Sequence, residues 1–259
     1  MGTTGHYYRA ITQELEVFEA CFRKQLPLLL KGPTGCGKSQ LVAHMAEKLQ
    51  VPLIKVACNE DTTSADLLGR FLIQGMETVW HDGPVTRAVR HGGILYLDEI
   101  AEAREDVIVA LHPLTDHRRE LYLDRTNESL QAPPHFMCVA SFNPGYQRGF
   151  RELKPSTRQR FVAVALHYPE MAVESEILHH LTEAPPELCR KAVTFAHKVR
   201  SMHELNLKET VSTRLLVNAL SLTTAGMNPR LAFHVSLAET LSDDPQICSA
   251  LRDLINLSF

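Results

Sequence analysis

Residues Gly32, Pro33, Thr34, Gly35, Cys36, Gly37, Lys38 and Ser39 follow the spacing Gly-x-x-x-x-Gly-Lys-Ser. Glycines at these positions let successive backbone N–H groups converge on phosphate oxygens, and a helix opening at Lys38 adds its positive end. In this pattern Lys38 reaches the β- and γ-phosphates and Ser39 ligates Mg²⁺. Further on, the apolar run Ile94-Leu-Tyr-Leu97 ends in Asp98-Glu99, which puts two carboxylates at the C-terminal end of a strand. Asp98 suits the Mg²⁺ shell, through water, and Glu99 suits orienting and deprotonating an attacking water. The chemistry these residues suggest is hydrolysis of a nucleoside triphosphate.

Three further positions extend the pattern. The run Phe136–Phe142 ends in Asn143-Pro144, where Asn143 either hydrogen-bonds a γ-phosphate or water, or serves as a turn residue before proline. Arg158 and Arg160 stand just before another apolar run, as a phosphate-binding pair or as a solvated turn. A guanidinium supplied in trans accelerates hydrolysis ~10³–10⁵-fold. Arg214, in Ser212-Thr-Arg214 at a helix start, either reaches the nucleotide or pairs with a carboxylate.

These residues need a scaffold, and the first two thirds of the chain supply its pattern. Short apolar runs at Leu26–Leu30, Pro52–Ala57, Ile94–Leu97, Phe136–Ala140 and Phe161–Leu166 alternate with helical spacing, which predicts an α/β parallel sheet. All five are apolar throughout, the mark of strands covered on both faces. A helix is expected from Lys38, with Leu41, Met45 and Leu49 on one face. Phe71–Trp80 and Arg119–Pro133 read as two inserted hairpins. Beyond Tyr168 the strand pattern stops, and helix starts follow at Pro186, Ser212, Asn228-Pro229 and Asp244-Pro245. The expected domains are 1–168, an α/β nucleotide-binding domain, and 169–259, a helical lid. Trp80 is expected to be a packed anchor rather than an exposed contact.

Composition narrows the field. The 259 residues carry 27 Lys+Arg against 30 Asp+Glu, a formal charge of −3, so no net field gathers nucleic acid or anionic membrane non-specifically. No apolar run reaches the ~18 residues of a membrane span, and Met1–His6 lacks an apolar leader core. The six cysteines are scattered, which predicts reduced thiols and a cytoplasmic location. The histidines show no His-Glu-x-x-His metal spacing, and no Asn-Lys-x-Asp stretch supports a GTPase.

Taken together, the constellation resembles the AAA+ ATPases of the MoxR branch. The resemblance assigns Walker A to Gly32–Ser39, Walker B to Ile94–Glu99, sensor 1 to Asn143, sensor 2 to Arg214 and the arginine-finger region to Arg158 and Arg160. It implies a five-stranded sheet of order 5-1-4-3-2 with a C-terminal helical lid, helix-2 and pre-sensor-1 hairpins, ATP and Mg²⁺ as cofactors, and a homo-oligomer, a hexameric ring. The blocks Gly32–Lys38, Thr78–Pro84, Leu111–Asp116, Ser141–Tyr146 and Leu153–Phe161 are similar to the CbbQ/NirQ/NorQ family over nearly the whole chain. That likeness implies a chaperone-like motor acting through a von Willebrand factor A-domain adaptor. Its target is expected to be Rubisco, as a Rubisco activase releasing inhibitory sugar phosphates, with nitric oxide reductase as the alternative and a DNA-stimulated ring ATPase more distant. In the family the segment before Walker A lies near the adenine, which here is Tyr7-Tyr8-Arg9; a loose tail is the other reading.

Overall fold

Residues 6–144, 153–205 and 207–259 are described in a computed structural model. The chain divides into two compact units, Met1–Gly32 with Gly37–Leu166, and Pro33–Cys36 with His167–Phe259.

Among the described residues the first unit holds nine strands: β1 (Leu28–Lys31), β2 (Leu53–Ala57), β3 (Gly69–Gln74), β4 (Glu77–Asp82), β5 (Gly93–Asp98), β6 (Glu120–Leu123), β7 (Glu128–Gln131), β8 (Phe136–Phe142) and β9 (Val162–Ala165). Five of them form one parallel sheet in the order β2-β5-β8-β1-β9. These figures differ from the expected 5-1-4-3-2 because the hairpin strands enter the count. Over the five sheet strands alone, read from the β9 edge, the order is 5-1-4-3-2.

The three central strands are buried along almost their whole length. Leu29, Leu95, Leu97, Cys138 and Ala140 enter a core shared with Val85, Ala88 and Val89 of the helix Pro84–His91. Side chains of opposite parity face the other way, where the helix Lys38–Lys48 contributes buried Leu41, Val42 and Met45. The edge strands correct one expectation. β2 and β9 alternate between half-buried and exposed positions, so their apolar composition does not mean cover on both faces. An edge strand has a neighbour on one side only, so part of its surface stays open to solvent whatever its composition. The first strand also starts later than expected, with Leu26 left largely exposed.

Both inserts are hairpins. β3 and β4 pair antiparallel from Gly69↔Asp82 to Gln74↔Glu77, and β6 and β7 from Glu120↔Gln131 to Leu123↔Glu128. Trp80 is a packed residue: it lies against the main core, meets Phe71 edge-on with centroids 5.2 Å apart, and donates its indole N–H to Asp82 at 2.7 Å. The outer end of the hairpin is apolar and exposed, with Ile73 and Met76 at 81% and 101% of full accessibility.

In the second unit the proline-marked starts are helices. Pro186–Ser201, Thr213–Thr224, Pro229–Phe233 and Pro245–Ser258 follow one another, and Met171–Thr182 precedes them. Ser212, Asn228 and Asp244 each cap a helix by accepting a backbone N–H, from Leu215, Arg230 and Gln246 respectively. Their apolar faces meet around Phe195, Leu216, Phe233 and Leu251, and Phe259 stacks on Phe233 at 3.9 Å. None of the six cysteines forms a disulfide, and all but Cys248 are buried. Among the described residues no helix is long and apolar enough to cross a membrane.

Candidate nucleotide site

The phosphate-type loop leaves the C-terminal end of β1 and runs into the helix Lys38–Lys48. Its turn depends on two glycines with positive φ, Gly35 at 70° and Gly37 at 99°. Gly37 is also the residue preceding the helix, and it has no side chain with which to cap the first turn. A methyl group at Gly35 would come within 2.7 Å of the Ser212 Cβ and 3.2 Å of the Arg214 Cβ, inside the second unit. In that unit the Tyr168 hydroxyl donates to the Thr34 carbonyl at 2.9 Å, and the Thr34 hydroxyl donates to Glu209 at 2.7 Å. Pro33 belongs to the same stretch, Cys36 is buried, and the Arg214 side chain is exposed.

Lys38 is buried, at 6% exposure, and its ammonium donates to the Gly32 carbonyl at 2.7 Å. The same Nζ lies 3.9 Å from Glu99 Oε1. Ser39 Oγ is 3.2 Å from Asp98 Oδ2, to which it donates. The structure therefore brings Lys38, Ser39, Asp98 and Glu99 together at the C-terminal edge of the sheet. Asn143, one residue past β8, joins them: its backbone N–H is bonded to the Glu99 carboxylate.

Two residues in this cluster escaped the reading of the sequence. The Tyr96 hydroxyl donates to Asp98 Oδ1 at 2.7 Å, and the Ser141 hydroxyl donates to the same oxygen at 2.5 Å. Ser141 Oγ also accepts the Glu99 backbone N–H at 3.2 Å. Only register signals them: Tyr96 pairs with Val139, and period two carries Asp98 and Ser141 to the same face.

Glu99 has a left-handed backbone, φ 53° and ψ 48°, which costs a non-glycine residue roughly 1–2 kcal/mol. Strain of this kind persists where neighbours fix it and is frequent in functional sites. Burial raises the Glu99 carboxyl above the ordinary carboxylate range; Lys38 opposes that shift and Asp98 adds to it. Burial, with Asp98 and Glu99 nearby, also pushes the Cys58 thiol up to about 11, so this cysteine stays protonated beside the acids.

The arginine pair is placed differently. Pro155–Arg158 is a short helix, and Arg158 donates to the Leu153 carbonyl at 2.9 Å while its guanidinium lies over the Phe142 ring. Arg160 donates to Asp116 at 3.1 Å, and its Nε is buried with no hydrogen-bond partner among the described residues. Before β1, the segment carrying Tyr7 and Tyr8 lies along the helix Lys38–Lys48: Gln40 donates to the Tyr7 carbonyl, and His44 Nδ1 is 2.8 Å from the His6 carbonyl. Tyr8 donates to Glu14 at 3.0 Å, so this segment is tied down. Gly145 and Tyr146 of the Ser141–Tyr146 block lie outside the described residues.

Residues 27–161 match the model of the AAA domain (dynein-related subfamily), and residues 174–258 match CbbQ/NirQ/NorQ C-terminal. The chain is 53% identical to "Denitrification regulatory protein NirQ" of Pseudomonas aeruginosa over 97% of its length and 96% of the relative's. It is 53% identical to "Protein NorQ" of Paracoccus denitrificans, covering 96% and 92%. It is 50% identical to "Protein CbbQ" of Hydrogenophilus thermoluteolus, covering 95% and 92%. Among solved structures, NtrX from Brucella abortus shares the fold at a TM-score of 0.62 and 17% identity, over 98% of this chain and 61% of that one. The chain belongs to the CbbQ/NirQ/NorQ family, built on an AAA domain.

Proposed function

We propose that the chain hydrolyses ATP to ADP and phosphate, as a subunit of a hexameric ring that remodels a target enzyme through a von Willebrand factor A-domain adaptor. One observation carries the reading: Lys38, Ser39, Asp98 and Glu99 converge on the edge of an open parallel sheet where ligands bind, in a chain of the AAA family. Lys38 and the loop N–H groups hold the phosphates. Ser39 and Asp98 offer hard oxygen ligands, the donor set magnesium takes beside phosphates and water. Magnesium, when bound, offsets phosphate charge. Glu99 orients the attacking water and takes its proton, and Asn143 steadies the Glu99 carboxylate. In this reading Arg158 and Arg160 serve the neighbouring subunit's nucleotide, Arg214 reports on the subunit's own, and the exposed apolar tip of the β3–β4 hairpin contacts target or adaptor.

Rubisco is the target that the family resemblance favours, although the shared blocks surround the nucleotide and discriminate target poorly. Relatives named NirQ and NorQ at 53% identity, beside CbbQ at 50%, support nitric oxide reductase at least as well. Phosphate release by the purified chain decides between them when measured with inhibited Rubisco, with nitric oxide reductase, each with its adaptor, and with DNA. We expect stimulation by one enzyme–adaptor pair and none by DNA. Stimulation by DNA alone would overturn the remodelling reading.

A further inference from the structure

Tyr96 is among the largest fully buried side chains in the molecule, at 1% exposure, and Ser141 is wholly buried. A buried hydroxyl without a partner is costly, so these two must be satisfied within the protein. The shortest bond of each goes to one atom, Asp98 Oδ1, and the Tyr96 hydroxyl also lies 3.1 Å from Ser141 Oγ and 3.2 Å from Ser39 Oγ. With that oxygen held from the sheet side, Oδ2 is the one turned toward Ser39. The Ser141 oxygen also accepts the Glu99 N–H, and so secures the left-handed residue that carries the second acid. One face of β5 and β8 thus orients two carboxylates with different duties.

We propose that Tyr96 and Ser141 are positioning residues for nucleotide turnover: Tyr96 sets the Asp98 oxygen offered to the metal–nucleotide complex, and Ser141 couples Asp98 to the backbone of Glu99. This rests on the reading of the loop as an ATP site. It assigns the two hydroxyls separable effects. Outer partners of metal-ligating carboxylates change metal affinity or activity by about 10–100-fold when removed.

The test uses Tyr96→Phe and Ser141→Ala, each of which deletes one oxygen, in the full-length chain. Binding of a labelled, non-hydrolysable ATP analogue is measured with magnesium and with chelator, beside steady-state turnover and thermal melting. For Tyr96→Phe, affinity in chelator should match wild type, while the gain conferred by magnesium falls ~10-fold. For Ser141→Ala, kcat should fall ~10–100-fold with KM for ATP unchanged within about twofold. Wild-type metal dependence and kcat in both variants would overturn the proposal while leaving the ATP site standing. Equal loss of affinity with and without magnesium, together with a lowered melting point, would reduce the hydroxyls to packing and also overturn it. A wild-type chain that takes up no nucleotide would remove the underlying reading, and this inference with it.

Discussion

Glu99→Gln is expected to cut ATP turnover ~10²–10⁴-fold while leaving nucleotide binding intact, because a general base contributes about that much to a hydrolytic rate. The substitution is nearly isosteric. Its side-chain carbonyl can still accept the Asn143 N–H that the carboxylate accepts, and the left-handed backbone held by Ser141 is untouched. What disappears is the negative charge 3.9 Å from the Lys38 ammonium and the capacity to take a proton from water. Phosphate release and binding of labelled ATP, measured on the same preparation, separate the two effects. Hydrolysis at the wild-type rate would remove Glu99 from the role of base.

The second large effect concerns stability. In the helical unit Glu174 is completely buried, and it accepts bonds from Arg200 Nη1 at 2.7 Å, Arg200 Nη2 at 2.8 Å and Thr213 Oγ1 at 2.6 Å. Arg200 also donates to the Val211 carbonyl and stacks over the Tyr168 ring, 4.0 Å from its centroid. Removing one member of such a pair strands a charge away from water, at a cost of about 3–5 kcal/mol. Arg200→Met should therefore lower the melting temperature of this unit by about 12 °C or more, given ~4–8 °C per kcal/mol for a unit of ~90 residues. The double variant Glu174→Leu, Arg200→Met should recover much of the loss, since no charge is then left behind. Melting of Arg200→Met within two or three degrees of wild type, by differential scanning calorimetry, would show the pair to be dispensable.

How much of this was legible beforehand depends on how local each signal is. The loop Gly32–Ser39 is contiguous and glycines at that spacing have few other uses, whereas carboxylates after a strand are common, so Asp98-Glu99 takes its meaning from the loop upstream. Helix caps at Ser212, Asn228 and Asp244 were legible for the same reason, each being a local bond between a short polar side chain and the next turn. Tyr96 and Ser141 were not. Inside apolar runs they look like strand filler, and their function exists only once β5 and β8, some 45 residues apart in sequence, pair in register. Glu174 was hidden in the same way. In Met171–Thr182 it reads as one more solvated charge, and its arginine lies 26 residues on. The edge strands β2 and β9 show the reverse error, in which composition spoke for burial but position in the sheet decided it.

Equilibrium binding of radiolabelled ATP to the purified chain, with and without magnesium, tests the central claim most directly. The account predicts saturable uptake approaching one nucleotide per chain, tighter with magnesium and lost in Lys38→Ala, whose ammonium now rests on the Gly32 carbonyl. Absence of uptake by the wild-type protein, or undiminished uptake by Lys38→Ala, would contradict it.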